Sequence, residues 1–421
     1  MRKPKPFNFK KKAHRPSFLM GVAKLVIAWP DLKKREFTYE SIGMEGLKPP
    51  YILLCNHASM TDFCIMLRCT HPYPINNVMS IEGFHDYTTP LMRSLGVLGK
   101  RKFIKDYNLI RNIKHCLHDL GDIFVLFPEA RYSIDGSTSF LPDSLGKLCK
   151  MMKVPVATLN LKGTFISNPQ WNKHNKHNHV EAVMRQIITA EEVLTLDPEE
   201  MNRRIREALT YDDWAWQKEH RIRIDHPQRA DGLHSILYQC PHCHTEFRMD
   251  SAGTFLWCDA CGKKWELGEY GDLKAVEAAG DEKTSEGADP VTEFDHVPDW
   301  YRWERENVRR EVEEGTYLLE DEARLDTLPN GWGFHHQPDA HLRQDAEGTH
   351  LWGTAYGEEF RLDYTPGELE SVHIEYDYHG HGDCVELNVQ DESYWCYPKH
   401  LRDVITKMSL ATEEIYLRKR R

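Results

Sequence analysis

The sequence predicts a multidomain chain: an α/β domain with a mixed sheet flanked by helices, a small cysteine-bound ribbon, and a C-terminal β-barrel capped by a helix. Three observations predict this. The apolar runs Tyr51 to Cys55 and Ile123 to Phe127 each end in a polar loop, as buried strands of an α/β domain do. Two Cys-x-x-Cys pairs, Cys240/Cys243 and Cys258/Cys261, stand fourteen residues apart. Beyond residue 294 the apolar residues alternate with polar ones, the period of strands that bury one face. The boundaries read from these shifts are 1–35, 36–235, 236–270, 271–293 and 294–421.

With 421 residues and 40% hydrophobic content, the chain can bury ordinary cores in two or three domains. Its formal charge of −11 is unevenly spread. Residues 1–30 carry Arg2, Lys3, Lys5, Lys10, Lys11, Lys12, Arg15 and Lys24 and no acid. An acidic whole with one basic end argues against nucleic acid as a partner and for an anionic surface met by that end. Phe18 to Trp29 follows, with Phe18, Val22, Leu25, Val26 and Trp29 on one helical side. The stretch is too short to span a bilayer, which needs about 20 apolar residues, and reads as an interfacial helix.

The first polar loop, Asn56-His57-Ala58-Ser59-Met60-Thr61-Asp62, brings a histidine and a carboxylate to a strand end. If the loop turns into a helix near Ala58, Asp62 returns toward His57, fixes one tautomer and stabilises the imidazolium. Such a pair suits proton abstraction from a hydroxyl. Ser59 is read as the N-cap of that helix, and Cys55 and Cys64 as buried, inert thiols. After the second strand come Pro128, Glu129, Ala130 and Arg131; a Glu and an Arg there can hold a phosphate-bearing substrate. Between the two loops, Lys100, Arg101, Lys102 and Lys105 flank Phe103-Ile104. Leu141-Pro142 and Val154-Pro155-Val156-Ala157 complete four blocks in order.

In those four blocks, over about residues 40–200, the chain resembles the glycerolipid acyltransferases of the 1-acylglycerol-3-phosphate type. The resemblance implies that His57 is the general base, Asp62 its orienting carboxylate, and Glu129 with Arg131 the acceptor's phosphate site, with Arg101, Lys102 and Lys105 as further cations. It implies acyl-CoA or acyl carrier protein as co-substrate, a lysophospholipid acceptor, and phosphatidic acid as product. Two departures stand out. The family's Phe-Pro-Glu-Gly-Thr-Arg is shortened here, so that Arg131 follows Glu129 by two positions, and Asp106 replaces the arginine of Phe-Ile-x-Arg. A different class of function, an inactive zinc-ribbon adaptor at membranes, is the alternative that these departures keep open.

Cys240, Cys243, Cys258 and Cys261 have the spacing of four thiolate ligands for a structural Zn²⁺. The other seven of the eleven cysteines show no disulfide framework, so a cytoplasmic location, peripheral on the inner membrane face, is expected. Val180 to Ile188 reads as an edge strand, and Asp197-Pro198 starts a helix. Gly271 to Pro290 is acidic and aperiodic and reads as a flexible linker. Val372, Ile374, Tyr376 and Tyr378, then Val385, Leu387 and Val389, alternate as strands, and a helix from Pro398 to Leu417 closes the chain. Strands capped by one helix resemble the topology of pleckstrin-homology barrels, and a protein partner is the expectation for this part.

Overall fold

The computed structural model describes all residues except 1–2, 18, 24–25, 27, 278–289 and 421. Its first sheet has seven strands: β1 Phe37–Ile42, β2 Ile52–Cys55, β3 Ile75–Ser80, β4 Val97–Lys100, β5 Ile123–Leu126, β6 Val156–Lys162 and β7 Val180–Ile188. Their order is β1-β7-β6-β2-β5-β3-β4, and only the β6/β7 pair is antiparallel. The sheet is therefore mixed, as expected. β2 is central, and its unbroken apolar run follows from that place: Leu53 and Cys55 enter one core while Ile52 and Leu54 enter the core on the opposite face. β7 is not an edge strand, because Phe37–Ile42, which carries four exposed residues, pairs along its outer side.

The second sheet is a four-stranded antiparallel ribbon: β8 Met249–Ala252, β9 Phe255–Cys258, β10 Lys264–Leu267 and β11 Leu273–Val276. β11 pairs with β10 from Leu273 to Val276, so the segment expected to be a linker from Gly271 begins as a strand. The rest of that expectation, at 278–289, lies outside the described residues. Trp265 is fully buried and packs edge-on against Trp300 of the helix Val297–Glu314.

The third sheet runs β12 Leu318–Thr327, β13 His335–Asp345, β14 Gly348–Ala355, β15 Glu358–Tyr364, β16 His373–Glu375, β17 Cys384–Val389 and β18 Glu392–Pro398. It is antiparallel throughout, in the order β15-β14-β13-β12-β18-β17-β16, with β15 and β16 as its two ends. Tyr378 lies in a short turn of helix beyond β16, and the closing helix is Ile405–Arg418, starting seven residues after the expected Pro398.

These units are not beads on a string. One core runs from the ribbon through the Val297–Glu314 helix to the third sheet and the C-terminal helix. Another joins Leu53 of β2 and Phe84, which follows a short helical turn after β3, to Trp395 and Tyr397 of β18. At Gly331 a Cβ would meet the Phe84 carbonyl at 2.0 Å, so only a residue without a side chain lets the two backbones approach this closely.

Part of the basic arm is packed on the first domain. Phe7 is buried against Phe84, its N–H donates to the Pro329 carbonyl, and Arg15 pairs with Asp122. Apolar Phe7 and Ala13, set between the lysines, are what draw the arm onto the domain, while Lys5, Lys10, Lys11 and Lys12 stay exposed. Of the expected interfacial helix, Val22, Val26 and Trp29 are exposed, and Phe18, Lys24 and Leu25 lie outside the described residues.

Candidate active site

β2 ends at Cys55, and the chain must leave the sheet without orphaning its last polar groups. Asn56 does this by imitating a strand residue with its side chain: its amide donates to the Leu161 carbonyl at 2.8 Å and accepts from the Leu161 N–H at 2.7 Å. His57 follows at the strand's carboxyl end, and the helix Thr61–Cys69 begins four residues later. Ser59 serves this turn through its hydroxyl, which accepts the Thr61 N–H at 3.3 Å, although the residue at the N-cap position is Met60.

The helix carries Asp62 in its first turn, fully buried, and returns it to the loop. One carboxylate oxygen, Oδ2, accepts from Ala58 N at 2.6 Å and Ser59 N at 2.9 Å and meets His57 Nδ1 at 2.9 Å. Since that oxygen only accepts, Nδ1 must carry the proton, which leaves Nε2 with its lone pair. The imidazole packs against the rings of Phe127, centroids 4.2 Å apart, and Tyr132, 4.4 Å apart, and its side chain is 22% exposed. His57 and Asp62 thus face each other, and the histidine reaches solvent.

Glu129 is 2% exposed, and its place differs from that of a substrate ligand. Oε1 accepts the His57 backbone N–H at 3.0 Å and Oε2 the Ser139 N–H at 3.1 Å. Burial pushes its carboxyl up to about 7, against the pull of those two amides and of Arg131. Ser133 N donates to the His57 carbonyl at 2.8 Å, so residues 129–133 hold the backbone of His57 from both sides.

Three of the four cations expected to clamp a phosphate, Arg131, Arg101 and Lys102, are engaged with the protein itself. Arg131, 5% exposed, donates to the Val372 carbonyl at 3.0 Å, Ser409 Oγ at 2.7 Å and Glu413 Oε1 at 2.5 Å. Arg101 is fully buried and donates to the Leu328 and Pro329 carbonyls and to Ser393 Oγ. Lys102 pairs with Glu82 at 3.0 Å and Glu386 at 3.8 Å. Lys105 is exposed, and Asp106, in the place of the family's arginine, caps the helix Tyr107–Lys114 by accepting Leu109 N–H. The physical reason is the third sheet and the C-terminal helix, which cover this side and bring their own carbonyls and carboxylates. No local sequence signal announces such partners, since Arg131 and Glu413 are 282 residues apart.

Two sets of side chains have the proximity of metal ligands. The sulfurs of Cys240, Cys243, Cys258 and Cys261 all lie within 4.8 Å of one another. Cys240–Cys261 and Cys243–Cys258 are each separated by 3.8 Å, the edge of about 3.8 Å that a tetrahedron with zinc–sulfur bonds of about 2.3 Å requires. Glu82, His373 and Glu386 are similarly close, and there the Lys102 ammonium already sits between the two carboxylates. Burial raises the Cys55 thiol well above its ordinary range and the Cys64 thiol to about 11, so neither is a thiolate nucleophile at neutral pH.

A cleft of about 600 Å³, lined by residues including Lys147, Asn202, Arg203 and Arg206, shares no lining residue with the His57 loop. Among the described residues, no helix is long and apolar enough to cross a membrane.

Residues 33–162 match the Acyltransferase family, a span that contains His57, Asp62, Glu129 and Arg131 and stops before the ribbon and the third sheet. Among solved structures, the 1-acyl-sn-glycerophosphate (LPA) acyltransferase PlsC from Thermotoga maritima is similar at 16% identity, covering 44% of this chain and 78% of that one, with a TM-score of 0.36. No curated protein matches the chain.

Proposed function

We propose that the acyltransferase-type domain is an active O-acyltransferase that moves a fatty acyl group from a thioester, on coenzyme A or acyl carrier protein, to a free hydroxyl of a lysolipid acceptor. The observation that supports it best is the His57 Nδ1–Asp62 contact at 2.9 Å with the imidazole open to solvent. In this reading Nε2 takes the proton from the acceptor hydroxyl as its oxygen attacks the thioester carbonyl, and Asp62 stabilises the imidazolium. The carbon–sulfur bond then breaks and the departing thiolate takes the proton from Nε2. No acyl-enzyme forms, and the high thiols of Cys55 and Cys64 agree with that.

The acceptor implied by the family resemblance is 1-acylglycerol 3-phosphate. The guanidinium of Arg131 is bonded to Val372, Ser409 and Glu413 of the protein itself. For the ribbon we propose a structural Zn²⁺ on the four cysteines: all four positions are filled by protein sulfur, which leaves no open site for chemistry. For location we propose peripheral attachment at an anionic membrane face, supported by exposed Val22, Val26, Trp29 and Met60 and by the exposed lysines of the arm. Trp29 lies 5.9 Å from the guanidinium of Arg68, on the same helix that Met60 precedes.

The test is product analysis by mass spectrometry after incubating the purified full chain with a panel of lysolipids and acyl thioesters. A product that needs both substrates and is lost in Asp62→Asn supports the proposal. Absence of every acyl product, with the ribbon metal intact, rejects it and favours the adaptor.

A further inference from the structure

The Pro128–Ser133 loop grips His57 three times: Glu129 takes its N–H, Ser133 donates to its carbonyl, and Tyr132 packs on its ring. Such a loop positions the imidazole only if it is itself held. Its backbone is not a relaxed one, since Ala130 has a φ of 57°, in the left-handed region that residues with a Cβ seldom adopt. Something outside the loop must pin it, and the next residue shows what does.

Arg131 leaves the loop in the direction of the C-terminal part of the chain. Its guanidinium binds Ser409 and Glu413 of the C-terminal helix and the carbonyl of Val372 just before β16. Glu413 is in turn held in place: Oε2 accepts from Arg305 at 2.6 Å and Oε1 from Ser371 Oγ at 2.7 Å. Burial works against the Glu413 carboxylate, yet Arg131 and Arg305 overcome it and lower its pKa, so it remains a charged anchor between two arginines. The chain of contact is therefore continuous: C-terminal helix, Arg131, loop, His57.

We propose that Arg131 and Glu413 are positioning residues, through which the C-terminal helix sets the orientation of His57. This rests on His57 being the base of the proposed reaction. It gives the C-terminal part of the chain a role in the chemistry without touching substrate, and it gives Arg131 a different function from holding a phosphate. It follows that a ligand or protein bound to the third sheet has a physical route to the imidazole.

The experiment compares full-length wild type with Glu413→Gln, Glu413→Ala and Arg131→Lys, and with Arg309→Gln, which removes a pair between the same two helices that does not involve Arg131. Positioning predicts that kcat falls in the order wild type, Glu413→Gln, Glu413→Ala, by tenfold or more in the last, with KM for the acceptor within twofold. Arg131→Lys retains part of the wild-type kcat, and Arg309→Gln leaves kcat unchanged. A rise in the acceptor KM with kcat preserved in Arg131→Lys would instead make Arg131 a substrate ligand and overturn the proposal. Amide hydrogen exchange provides a second readout that needs no turnover, so that failure of the enzymatic reading stays distinct: the His57 and Ser133 amides should exchange at least tenfold faster in Glu413→Gln, or in Glu413→Ala if it folds. Unchanged exchange at both amides would also overturn it.

Discussion

Replacing Asp62 by Asn tests the pair without changing the shape of the site. The carboxylate oxygen that meets His57 also receives two backbone N–H groups, and the other oxygen is buried with no hydrogen-bond partner. An asparagine can keep its oxygen on the Ala58 and Ser59 amides, so the loop should lose the charge assistance of those bonds and bury an unpaired amide NH2 in the place of Oδ1, about 1–3 kcal/mol. The imidazolium loses its counter-charge. With charge centres about 4 Å apart and an effective dielectric near 20, that interaction is about 4 kcal/mol. His57 is 22% exposed, and solvent reduces the interaction to about 3 kcal/mol. At about 1.4 kcal/mol per decade the rate of acyl transfer should fall about 100-fold or more, while thermal unfolding moves by only a few degrees. The assay is single-turnover acyl transfer beside calorimetry on the same preparation. A variant within threefold of wild-type rate would refute the role given to Asp62.

Other consequences follow from the same geometry. Because Glu129 is raised to about 7 from 4.5, the native state keeps a proton that the unfolded chain releases between those values. Wild type should therefore lose stability relative to Glu129→Gln as pH rises from 4.5 to 7, by about 3 kcal/mol at most, and the difference should level off above 7; a flat difference in urea-unfolding free energies would contradict this. Metal analysis of protein purified under reducing conditions should find about one zinc per chain, falling near zero in Cys261→Ser with a lower unfolding temperature; a wild-type value near zero would remove the ribbon metal. Changing exposed Lys10, Lys11 and Lys12 to Gln should weaken sedimentation with anionic liposomes, most at low salt, without touching the buried Phe7; unchanged sedimentation would dismiss the arm as a lipid contact.

The local features were legible in the sequence for local reasons. β2 and β5 are buried on both faces, so they read as unbroken apolar runs, and Asp62 returns to His57 within one helical turn, a separation that periodicity alone conveys. The cysteine spacing placed four sulfurs together for the same reason. What remained hidden is long-range. The partners of Arg131 and Arg101 are not legible locally because Glu413 and the Leu328–Pro329 turn lie more than 200 residues away in sequence. Charge dominates the composition of the arm, while the buried Phe7 and Ala13 decide where it lies. The shortened Glu-x-Arg spacing is where the sequence departs from the family's pattern, and the structure directs the Arg131 guanidinium toward Glu413. Tyr132 and Ser133, which complete the grip on His57, gave no signal beyond following that motif.

Acyl transfer by His57→Ala is the most direct test of the central claim, measured as acylated lysolipid by mass spectrometry with the unfolding temperature and the zinc content as controls. The account predicts product formation reduced at least 1000-fold, about 4 kcal/mol of lost transition-state stabilisation, in a protein that still folds and still holds its metal. Product formed at the wild-type rate by that variant would contradict it.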